Sequence, residues 1–89
     1  MNRADTAVFI ETMMRSAKPG NRVVFVGPSH VKVGRAIADV HAWLLQNGIS
    51  HYWIDGYTIV NGATIEFTTT SPANRPPKPT YTFFDDGRD

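Results

Sequence analysis

Arg22-Val23-Val24-Phe25-Val26-Gly27-Pro28-Ser29-His30 is the stretch on which the fold turns. Arg22 to Val26 is a short, almost unbroken apolar run, and Gly27-Pro28 halts it abruptly. Its lack of alternation predicts a strand covered on both faces. Ser29 can then cap a helix through Asn47, with Gly48 just beyond its end. Within that helix Val33, Ile37, Val40 and Leu44 form one stripe, flanked by Ala36 and Trp43. Lys32, Arg35, Asp39 and Gln46 take much of the rest, so the helix should lie on a sheet. Strand, tight turn and helix in this order make half of a βαβ unit, whose turn often carries function.

Upstream, residues 5 to 17 read as an amphipathic helix with Asp5 or Thr6 as its cap. Phe9, Ile10, Met13 and Ala17 recur on one face, and Pro19-Gly20 ends the run. Downstream of Gly48 the period changes from near 3.6 to near 2. Ile49 to Asp55 predicts a strand closed by Gly56. Tyr57–Val60 and Ala63–Thr69 flank Asn61-Gly62, the strongest two-residue hairpin signal. That turn pairs Val60 with Ala63 and Thr58 with Ile65. Val60, Ala63, Ile65 and Phe67 then share one face, and Tyr57, Ile59, Thr64 and Glu66 the other. Residues 71 to 79 hold four prolines and read as an extended, partly polyproline loop. Tyr81 to Phe84 is a last strand, followed by an acidic tail at 85–89 that reads as a frayed end.

Length and composition bound the rest. Eighty-nine residues with a 42% apolar share suit one small domain spanning 1–89. Nine basic against eight acidic residues argue against a strongly basic nucleic-acid binder and against an acidic nucleic-acid mimic. Without cysteine there is no thiolate or disulfide chemistry. The first residues lack the blocks of a signal peptide, and no apolar run approaches the roughly 20 residues of a membrane span. A cytoplasmic protein is the expectation.

Taken together, three blocks carry a resemblance. Arg22 to His30 and its helix resemble motif Ia of helicases and phage terminase ATPases, where an apolar strand ends in a Pro-Thr or Pro-Ser turn. Asn61-Gly62-Ala63-Thr64-Ile65-Glu66-Phe67-Thr68 is similar to the hairpin those proteins carry before their acidic motif. Thr80-Tyr81-Thr82-Phe83-Phe84-Asp85-Asp86-Gly87 is similar to a Walker B strand ending in paired acids. The blocks occur in the family's order and cover roughly residues 8 to 86. The resemblance implies a piece of an ATPase core, but the phosphate loop is missing. A P-loop needs Gly-x4-Gly-Lys-Ser/Thr so that backbone amides and lysine hold the phosphates. Counted from Gly27, the second glycine position is Lys32. Asp86 also stands where the family has glutamate. No ATPase activity and no cofactor are therefore expected.

In related helicases the turn after the motif Ia strand touches the nucleic-acid backbone. Ser29, His30, Lys32 and Arg35 are the matching candidates for binding nucleic acid or another anion. Their plain alternative is a capped turn with solvated cations. Tyr52, Trp53 and Tyr57 are candidates for a partner surface, or else cross-strand pairs within the sheet. Asp85 and Asp86, with Asp55 if the fold brings it near, have the oxygen donors for a divalent cation but read equally as a charged terminus. His30, His41 and His51 have no spacing suited to zinc. Arg75 to Pro79 contains a PxxP spacing, and a stiff connector is its alternative reading. No catalytic residue and no metal site are assigned.

The sequence thus predicts a small α/β domain: two helices on a mixed sheet of four or five strands, in two or three layers. The expected role is that of a non-enzymatic accessory protein, phage- or mobile-element-encoded, that binds a nucleic-acid-processing machine or host enzyme and modulates it. Self-association to a homo-oligomer belongs with this expectation. Weak nucleic-acid backbone binding through the 27–35 turn is the alternative.

Overall fold

The computed structural model describes residues 3–54, 57–70 and 78–86. Helix α1 spans Arg3–Ser16, strand β1 Arg22–Val26 and helix α2 His30–Gln46. Four strands follow: β2 His51–Ile54, β3 Tyr57–Val60, β4 Ala63–Thr68 and β5 Tyr81–Phe84. They form one five-stranded mixed sheet in the order β2-β3-β4-β1-β5. β2, β3 and β4 run antiparallel to their neighbours, while β4, β1 and β5 run parallel. The expected fold class is the one observed.

Local chemistry sets most element ends. Ser29 is extended and its hydroxyl accepts from the Lys32 amide, so it caps α2 as expected. At the other end Asn47 is the C-cap and Gly48 takes a positive φ of 66°. Asn61 and Gly62 have φ of 53° and 77°, the left-handed pair that a type I′ hairpin requires. The resulting register pairs Val60 with Ala63 and Thr58 with Ile65, again as expected. Helix α1 differs: it starts at Arg3, so Asp5 lies in the first turn and neither Asp5 nor Thr6 is the cap. Strand β2 starts at His51, two residues later than the 49–55 segment expected. Asp55 and Gly56, together with 71–77 of the proline-rich loop and 87–89 of the tail, lie outside the described residues.

Both helices pack on one side of the sheet. Phe9, Ile10 and Met13 of α1 and Val33, Ala36, Val40 and Leu44 of α2 share one core with Val23, Phe25, Val60, Ala63 and Ile65. Phe9 meets Phe25 edge-on at 5.2 Å, and Phe83 stacks on Phe25 at 5.6 Å. Among the described residues the architecture is therefore two-layered, with both helices on one face. β1 is nonetheless buried along its whole length, as its unbroken pattern requires. It has a neighbour on each side, and on its helix-free face Arg22 and Glu66 form a buried ion pair between Val24 and the adjoining strand. Among the described residues no helix is long and apolar enough to cross a membrane.

Candidate functional site

Parallel pairing gathers three strand ends at one edge. Val26 lies level with Thr68 of β4 and with Phe84 of β5, so the chain leaves all three strands side by side. The Gly27 amide donates to the Thr68 carbonyl at 2.9 Å, and the Asp85 amide donates to the Val26 carbonyl at 2.9 Å. Open α/β sheets bind ligands at such carboxyl edges. Here the edge holds the Gly27–His30 turn, the start of α2, the hydroxyls of Thr68 and Thr70, and the carboxylates of Asp85 and Asp86.

Gly27 is required by close packing, not by its φ. A Cβ there would lie 2.7 Å from Cγ2 of Val33 and 3.1 Å from Cε1 of Phe25. The turn is thus pressed onto the first turn of α2, with Pro28, Ser29 and His30 exposed beyond it. Ser29 Oγ receives the Lys32 amide at 3.3 Å. Arg35 is exposed one turn further along, and Lys32 is half-buried. The four anion-binding candidates therefore lie along one end of one helix. The acid pair, distant in sequence, comes to the same edge. The edge that carries the α2 amides thus also carries two acids, which makes it less favourable to a phosphate than its cations alone would. Among the described residues no group of three or more His, Asp or Glu is placed to hold a metal ion.

The three aromatic candidates do not form one patch. Strand alternation sends Trp53, which pairs with Thr58, to the helix side, and Tyr52 and Tyr57 to the other. Trp53 packs edge-on against His41 at 5.4 Å and tilts against Phe67 at 6.4 Å. On the helix-free side Tyr52 pairs with Ile59, and Ile54 with Tyr57. Tyr52 and Ile54 are 59% and 50% exposed, on a strand with a neighbour on one side only. The apolar surface is therefore Tyr52, Ile54, Tyr57 and Ile59, with Trp53 removed from it. Ile54 and Ile59 escape notice in sequence because a lone isoleucine in a short strand reads as core.

Two further features lie apart from the sites expected from the sequence. A groove of about 820 Å³ runs between α1 and α2, with Ile10, Met14 and Trp43 along it and Glu11, Arg15 and Asp39 at its rim. Glu11 and Arg15 pair with each other at 3.3 Å across one turn of α1. The second feature is a histidine pair. His41 of α2 and His51 of β2 bring their ring centres to 5.1 Å. His41 Nε2 bonds to the hydroxyl of buried Thr58 at 3.0 Å, and His51 Nδ1 donates to the Ile49 carbonyl at 2.9 Å. Burial, and next the neighbouring His51, hold the His41 pKa below its ordinary 6.5.

Compared with family models, with curated proteins and with solved structures, the chain matches none of them.

Proposed function

We propose that this domain is a non-enzymatic binding module that acts on a protein partner through the outer edge of its sheet. The observation carrying this reading is β2, an edge strand that presents Tyr52 and Ile54 more than half or about half exposed, next to Tyr57 and Ile59. Unpaired edge amides and carbonyls beside apolar side chains favour docking of an extended segment as an added strand. Affinity comes from the backbone ladder, and selectivity from the pockets between alternate side chains. A nucleic-acid-processing machine is the proposed partner class. The resemblance to helicase and terminase cores supports it, as does the pairing of β1 with β5, which sets the Gly27 turn beside the paired acids. Descent from such a core without its phosphate loop accounts for an ATPase-like order of elements with no nucleotide cradle.

The test compares the wild type with a Tyr52→Glu/Ile54→Glu variant. Each is first checked for folding by circular dichroism, then used to capture proteins from host extract, alongside light scattering of each alone. A captured helicase, terminase or polymerase that the variant loses supports the reading. Equal capture by both proteins rules out the β2 edge. A dimer of the wild type that the variant dissolves, with no foreign partner, would make a second copy the occupant of the edge.

A further inference from the structure

Sequence spacing separates His41 and His51 by ten positions and a change of element, yet the fold packs them together at the corner between α2 and β2. Each ring commits one nitrogen. His51 Nδ1 faces the Ile49 carbonyl, which only accepts, so that nitrogen carries the proton and Nε2 of the neutral ring holds a lone pair. His41 Nε2 is engaged with Thr58 Oγ1, and when it donates there Nδ1 holds the lone pair. Neither remaining nitrogen has a hydrogen-bond partner among the described residues. An imidazole oriented by a hydrogen bond from its other nitrogen is the arrangement that metal-binding histidines adopt.

We propose that His41 and His51 form a two-histidine site for a divalent transition ion of the zinc class, bridging α2 to the edge strand β2. The spacing fits this role. An ion about 2.0–2.1 Å from one nitrogen of each ring, with the tetrahedral angle between them, sets the ring centres roughly 5 Å apart; here they lie 5.1 Å apart with the ring planes at 64°. Imidazole donors select zinc, copper, nickel or cobalt over calcium and magnesium, which take oxygen ligands. Among the described residues no third His, Cys, Asp or Glu joins the pair. Two protein ligands with open positions give micromolar affinity, not that of a closed structural site. Trp53, edge-on to His41 at 5.4 Å, lies close enough for its fluorescence to report the ion.

The experiment titrates the tag-free full chain with zinc chloride by calorimetry, and with cobalt chloride by absorbance. Saturable binding of one ion per chain at micromolar concentration is expected, and cobalt, with its open d shell, should also lower the tryptophan fluorescence through Trp53. His51→Ala should weaken zinc at least tenfold, and His30→Ala should leave it unchanged. His41→Ala should behave like His51→Ala; because it also removes the Thr58 bond, the His51 variant remains the deciding one if His41→Ala fails to fold. Calcium at the same concentration should give no heat. Absence of saturable zinc binding below millimolar concentration would overturn the site, as would unchanged affinity in His51→Ala. One ion per two chains would place the ligands on different copies and overturn it too.

Discussion

Arg22 Nε donates to Glu66 Oε2 at 2.9 Å, joining β1 to β4 on the helix-free face with both side chains largely withdrawn from water. Removing one partner leaves the other charge buried, which costs about 3–5 kcal/mol, whereas replacing both by apolar groups of similar size is close to neutral. Glu66→Ala should therefore destabilise the domain by about 3 kcal/mol. Arg22→Met/Glu66→Leu should recover most of that loss. Urea denaturation of the three proteins checks it, and equal stability of Glu66→Ala and wild type would contradict the buried pair.

Two glycines answer to different constraints and should fail differently. Gly27→Ala pushes a methyl into Val33 at 2.7 Å, an overpacking expected to cost about 1–3 kcal/mol. Shortening the neighbour, in Gly27→Ala/Val33→Ala, should not add the two losses but partly cancel them. Gly62 instead holds a φ of 77°, with Pro19 3.2 Å from where its Cβ would stand. Gly62→Val should cost about 1 kcal/mol or more through turn strain. Thermal melting distinguishes the cases, since nothing near Gly62 can be trimmed to rescue it without removing backbone.

Acid should weaken the fold through His41. Its folded-state pKa lies below 6.5, so the unfolded chain binds this proton more tightly. The stabilising contribution is complete above pH 6.5, declines as pH falls from 6.5 through the lowered folded value, and is spent below it. With a chelator present, melting temperature should drop from pH 7.5 to pH 5 by more in the wild type than in His41→Gln, which cannot titrate. Identical profiles would remove His41 from the account.

Nucleic acid provides the contrast to the binding-module reading. The wild type is expected to show no measurable DNA or RNA affinity at physiological salt, because the acids Asp85 and Asp86 share an edge with the α2 amides. Should binding appear in fluorescence anisotropy, two phosphate contacts by Lys32 and Arg35 limit the log–log salt slope to about −1 to −2. Lys32→Glu/Arg35→Glu should then abolish it. Binding that survives this double change would place the contact elsewhere on the chain.

What the sequence by itself determined is what local chemistry controls. Ser29 as a cap, Asn61-Gly62 as a turn and the period-2 alternation of β3 and β4 each depend on neighbours within a few residues, and each is found as read. Those signals also settle which face every hairpin residue takes, because one turn type admits one register. Only the tertiary structure decided the rest. Both helices lie on one side, and β1 has β4 and β5 as its neighbours. Arg22 meets Glu66 across 44 positions, and His41 meets His51 across a change of element. Strand order is the physical reason. It depends on which pairings bury most apolar surface together, and no capping residue or turn encodes it. For the same reason the histidines give no metal-like spacing along the chain, and the acids give no sign that they finish beside Gly27.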